Sequence, residues 1–135
     1  MKKKLFIILF FFPCIMGYPQ KGKYTPKIVE NPASIIERLI YNDPILKISS
    51  VNITREKIQI ERQAQDEWTG AHHYEYTTVF FDQISKMKIE YRLKNLYKFK
   101  VIINRKDVKI SIFTRSREDA QRCYDAFYTL KLRSK

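Results

Sequence analysis

All five prolines lie at or before Pro44, and of the three glycines only Gly70 lies beyond it. About ninety consecutive residues therefore contain almost nothing that interrupts regular structure. Such a stretch favours long strands and an unbroken helix, and its hydrophobic periodicity says where each falls. Ile45, Leu46, Ile48, Val51 and Ile53 are followed by Ile58 and Ile60 alternating with Lys57, Gln59 and Glu61. This predicts two strands turning around 54–56. A polar loop over 63–70 precedes a third, aromatic and β-branched strand containing Tyr74, Tyr76, Thr78, Val79, Phe80 and Phe81.

Met87, Ile89 and Tyr91 then alternate with Lys86, Lys88, Glu90 and Arg92, a fourth strand with one apolar and one charged face. Two further strands are expected, one through Tyr97, Phe99, Val101 and Ile103 and one through Val108, Ile110 and Ile112. Asn104, Arg105, Lys106 and Asp107 form the turn between them. A final helix starts at the cap residue Ser116, with Glu118 and Asp119 in its first turn and Arg133 and Lys135 towards its far end. Its apolar stripe is Ala120, Cys123, Phe127 and Leu130, joined by Tyr124. Ahead of the strands, Asn31 and Pro32 mark the start of a short helix carrying Ile35, Ile36, Leu39 and Ile40, which Asn42, Asp43 and Pro44 end.

The chain opens as an export signal. Lys2, Lys3 and Lys4 precede an unbroken apolar run over 5–12, which at eight residues is too short to span a bilayer. Residues 1–17 are expected to be removed after Gly17, leaving 18–31 as an extended polar leader and 32–135 as a single α+β domain. The expected location is periplasmic or secreted, without a stable transmembrane anchor. Pro13 and Phe11 do not fit the positions a lipobox requires around Cys14, which argues against lipidation. With Cys14 removed, Cys123 is the only cysteine, so the exported domain has no internal disulfide to rely on and its stability must come from the core. Hydrophobic content of 44% supplies one core for a chain of this length.

Charge is uneven. Residues 84–135 hold 15 basic against 5 acidic side chains, whereas 18–83 are nearly balanced. Lys86, Lys88, Arg92, Lys98, Lys100 and Lys109 all fall on the polar side of neighbouring strands and form one patch if those strands pair. Such a patch suits an anionic envelope component or an acidic protein. Export, and the scarcity of aromatics interleaved with the charges, argue against nucleic acid. Tyr18, Tyr24, Trp68 and Phe113 stand outside the apolar period, and Trp68 sits at a loop tip.

His72 and His73 are the only histidines and lie near Asp66, Glu67 and Glu75. Adjacent strand residues point to opposite faces, so only one histidine can share a site with Glu75. A small secreted hydrolase of nuclease type, with His72 or His73 and Glu75 as acid and base and Arg115 or Arg117 on phosphate, is the alternative to a binding module. Serine and cysteine triads and glycine-rich phosphate loops find no matching residues, and no cofactor is implied.

Six antiparallel strands closed by one helix resemble the pleckstrin-homology-like superfold. Ser116, Glu118, Asp119, Ala120, Arg122, Tyr124, Ala126 and Leu130 resemble the ending of small exported bacterial proteins of unknown function. The resemblance implies one antiparallel sheet of about six strands, bent into a half-barrel, between a short N-terminal helix and a C-terminal capping helix. The extra leading helix departs from that pattern, as does the lack of a glycine-containing basic first hairpin, so phosphoinositide binding is not implied.

Overall fold

The computed structural model describes residues 24–104 and 107–135. The signal expected at 1–17 and Cys14 lie outside these residues, as do Tyr18 and the first part of the leader. Two helices and six strands follow in order: α1 (Pro32–Tyr41), β1 (Ser50–Ile53), β2 (Lys57–Gln65), β3 (His72–Phe80), β4 (Ile84–Leu93), β5 (Leu96–Ile103), β6 (Asp107–Thr114) and α2 (Arg117–Arg133). A 3-10 turn, Phe81–Gln83, separates β3 from β4. No helix among the described residues is long and apolar enough to cross a membrane.

The α+β class holds, but the single six-stranded sheet does not. The strands form two antiparallel three-stranded sheets, β1-β2-β3 and β4-β5-β6. The break falls at the 3-10 turn, where Phe81 is fully buried and its N–H donates to the Glu56 carbonyl at 2.9 Å. Burying that ring swings the chain away from β3, so β4 starts a new sheet instead of pairing back. Periodicity marks Phe81 as one more strand residue, because a corner and a strand bury an aromatic equally well.

Two other expected boundaries move. The first strand is only Ser50–Ile53, since Ile45 to Ser49 follow an irregular path set by Asp43. The Asp43 carboxylate accepts from the N–H groups of Ile45 (2.7 Å), Leu46 (2.8 Å) and Phe113 (2.9 Å), joining the end of α1 to the edge of β6. The expected loop over 63–70 contracts to 66–71, because β2 and β3 pair as far as Gln65 and His72. Asp66 closes that turn by accepting from Trp68 N–H (2.7 Å) and Thr69 N–H (3.0 Å), and Gly70 takes φ 73°, where a side chain would be strained. The β4–β5 hairpin turns on Lys94 (φ 50°) and Asn95 (φ 62°), the pair of left-handed residues that matches strand twist.

One core joins both sheets to both helices: Ile36, Leu39 and Ile40 of α1, Ile58 and Val79 of the first sheet, Phe99, Val101, Ile110 and Ile112 of the second, and Cys123, Ala126 and Phe127 of α2. Ser116 Oγ accepts from Asp119 N–H at 3.1 Å and so caps α2 as its sequence position indicates. Ser116→Ala should lower the unfolding free energy by about 1 kcal/mol, measured by denaturant unfolding. An unchanged midpoint would mean that the cap contributes nothing.

The described part of the leader is extended and docked against α2. Tyr24 Oη donates to both carboxylate oxygens of Asp125 (2.8 and 3.1 Å), and Lys27 N–H donates to Asp125 Oδ1 (3.0 Å). One turn later, Val29 N–H donates to Thr129 Oγ1 (3.0 Å). Asp125 and Thr129 lie off the expected apolar stripe yet are buried.

Candidate functional site

In β4 and β5 the residues that alternate with the core are basic. Met87, Ile89, Phe99 and Val101 face the helices, which sets Lys86, Lys88 and Glu90 of β4 and Lys98 and Lys100 of β5 on the outward face. Lys88 pairs with Lys100 and Glu90 with Lys98 across the ladder. The strands are thus neighbours, as the patch requires, and Glu90 sits among the cations. It accepts from Lys100 Nζ at 2.5 Å and from Arg92 Nη1 at 3.3 Å. The Lys100 hydrogen bond, together with the charges of Lys100, Arg92 and Lys88, holds the Glu90 carboxyl below the usual range. Lys100 is consequently engaged, its side chain only 16% exposed. Lys86, Lys88 and Arg92 stay exposed, and Arg92 lies where the β4–β5 register shifts.

Lys109 reaches the same region by a different route. Val101 pairs with Ile110 and Ile102 with Val108, so Lys109 is the extra residue of a bulge, a feature that re-aims a side chain. It lines a cleft of about 330 Å³ together with Lys98. Leu46, Ile48, Ile60, Ile110 and Phe113 give this cleft its apolar lining. Arg62 of β2 and Glu75 of β3 line it as well, with Thr77 and Ser111 supplying hydroxyls. Lys98 Nζ lies 5.6 Å from the centroid of the Phe113 ring, which fixes its ammonium beside the apolar wall. Among the described residues no carboxylate is within ion-pair distance of Lys98 or Lys109.

The histidine region meets the cleft through Glu75 alone. His73 Nε2 is 3.4 Å from Glu75 Oε2 and shares its face of β3, whereas His72 points the other way. Arg62 Nη2 donates to Glu75 Oε1 at 2.7 Å, and this bond, with a smaller one from His73, holds Glu75 below the ordinary carboxylate range. A carboxylate so held is a poor proton acceptor. Neither Arg115 nor Arg117 lines this cleft: Arg115 borders a separate depression with Arg38 and Asp119, and Arg117 lies 5.8 Å from the centroid of the Tyr97 ring. The arginine that stands with His73 and Glu75 is therefore Arg62, not Arg115 or Arg117 as expected. Cys123 is fully buried, and burial pushes its thiol well up from the ordinary range.

Of the four irregularly placed aromatics, Tyr24 holds the leader and Phe113 forms a cleft wall, while Trp68 is 93% exposed and does not fold back on the sheet. The residues that sequence reasoning missed are Arg62, Leu46 and Ile48. Their only signal in the sequence is a basic residue at an apolar-parity position of β2 and apolar residues in a segment whose pattern predicts strand. No family model, curated protein or solved structure matches the chain.

Proposed function

We propose that the chain is an exported, non-enzymatic binding module that holds an anionic envelope component or an acidic protein through the basic outward face of β4, β5 and β6. The observation carrying this reading is that Lys86, Lys88, Arg92, Lys98, Lys100 and Lys109 come from three paired or adjoining strand segments with one carboxylate, Glu90, among them. Like charges held side by side destabilise a sheet unless a partner neutralises them, which supports a surface kept for an anion. Arg62 holding Glu75 supports binding over acid–base chemistry. The strand order closed by α2 is the basis on which we read the frame as pleckstrin-homology-like, split into two sheets.

The test is retention on vesicles containing phosphatidylglycerol, with neutral phosphatidylcholine vesicles and soluble polyglutamate as parallel arms. Lys86→Glu with Lys88→Glu should weaken binding by about tenfold or more, and salt should release the protein as screening shortens to a few ångströms. Retention that ignores both salt and the charge reversal would refute the reading. Preference for polyglutamate over the vesicles would identify an acidic polypeptide as the partner class.

A further inference from the structure

The cleft between the two sheets is built differently from the face beside it, and we propose that it takes an anionic amphiphile, a molecule with one carboxylate or phosphate head group on a hydrocarbon body. This inference rests on the reading of the basic face as an anion-binding surface and names a second, more selective site at its border.

Three features converge. Leu46, Ile48, Ile60 and Phe113 leave an apolar surface in a concavity of about 330 Å³, within the lower range of small-molecule sites. Among the described residues, Lys98 and Lys109 of its lining have no carboxylate in ion-pair reach, whereas the third cation, Arg62, is already held by Glu75. The open edge of β6 adds a donor. Phe113 N–H points off that edge to Asp43, and strand alternation turns Ser111 N–H the same way, towards the cleft that Ser111 lines. Lys98, Lys109 and Ser111 thus line the same cleft, and the proposal seats the anionic head among them with the hydrocarbon portion against the apolar lining residues.

Glu75 also lines the cleft, but its charge is balanced by Arg62 at 2.7 Å, so the unpaired charge there is that of Lys98 and Lys109 and suits one anionic head group. A carboxylate carries one charge and a phosphate monoester about −1.5 to −2 at neutral pH, so the shared chemistry is an anionic head on a hydrocarbon body, and the experiment's arms distinguish the two sources.

The experiment uses the described domain with its leader, titrated with sodium decanoate below its micelle concentration and followed by calorimetry and amide chemical shifts. Acetate supplies the head without the body, octyl glucoside the body without the charge, and decyl phosphate the same body with more charge. Decanoate should bind at least about a hundredfold more tightly than acetate, since each buried methylene adds to affinity. It should also exceed octyl glucoside by about tenfold and shift Thr77, Lys109 and Ser111. Lys98→Ala with Lys109→Ala, and separately Leu46→Ser, should each reduce affinity about tenfold or more. Decanoate no better than octyl glucoside, or shifts elsewhere on the domain, would each overturn the proposal, whereas tighter binding of decyl phosphate would support it with phosphate as the head group. Lys86→Glu with Lys88→Glu separates the two sites. It should leave decanoate binding unchanged, and a loss there overturns the cleft, whereas unchanged vesicle binding in that variant overturns only the face.

Discussion

Phe127→Ala should lower the unfolding free energy by about 3–5 kcal/mol, the largest stability change expected from any single truncation in this domain. Phe127 is fully buried on α2, with ring centroids 6.3 Å from Phe81 and 5.3 Å from Phe99. Phe81 belongs to the corner where the first sheet ends, and Phe99 to the centre of the second, so one side chain bonds the two sheets to the helix. Removing it deletes both ring contacts and leaves a void lined by rigid elements that cannot close over it. A small domain commands about 5–15 kcal/mol in all, so the variant will sit near its unfolding threshold. Denaturant unfolding should show a lower midpoint at an unchanged slope, with Phe127→Leu falling between it and the wild type. A loss under about 1 kcal/mol for Phe127→Ala would mean that α2 is not seated in this core.

Elements were legible in the sequence where burial and periodicity agree. Ile58 and Ile60, Phe99 and Val101, Ile110 and Ile112 alternate with polar neighbours and do face the core, and the α2 stripe of Ala120, Cys123, Phe127 and Leu130 is buried throughout. What the pattern could not show was where one sheet ends and the next begins. Phe80 and Phe81 continue the third strand's apolar run, yet Phe80 is exposed and Phe81 turns inward. Only the three-dimensional closure of the core decides between them. The same holds for Asp43, which reads as a helix terminator and in the fold also binds the β6 edge seventy residues away. Its second role depends on a contact that no local window contains.

The candidate site divides along the same line. The basic face was readable because it follows from alternation within consecutive strands. The cleft was not, since it brings together Leu46 and Ile48 from the connector, Arg62 and Glu75 from the first sheet, and Lys98 and Lys109 from the second. Three of its residues belong to separate expectations from the sequence, Glu75 with the histidines and Lys98 and Lys109 with the lysine patch. Their joint placement is a consequence of the chain's turn at Phe81, which makes β3 and β6 the facing edges of different sheets.

Asp125→Ala should release the leader and lower the unfolding free energy by about 1.5–3 kcal/mol, the range for hydrogen bonds made to a charged group. Asp125 is 4% exposed on α2, off the apolar stripe, and its carboxylate accepts from Tyr24 Oη and Lys27 N–H. Without it, both donors lose their acceptor, and the remaining links of the leader are Val29 to Thr129 and Arg133 to Val29. The Tyr24 phenol reports the same contact. Burial, then the hydrogen bond to Asp125 and its charge, push it up to about 12 from 10.0. A group whose folded value is raised favours its protonated form in the fold. Its stabilising contribution is therefore complete below about 10 and is lost as pH rises through about 12. Tyrosinate absorbance, taken as a difference against Tyr24→Phe, should show Tyr24 ionising at lower pH in Asp125→Ala, although burial keeps part of the shift. The variant should also be cut faster by protease between Tyr24 and Asn31. An unchanged Tyr24 titration with unchanged stability would mean that the leader is held by packing of Tyr24 on Tyr124, whose ring centroids are 5.3 Å apart, and not by the carboxylate.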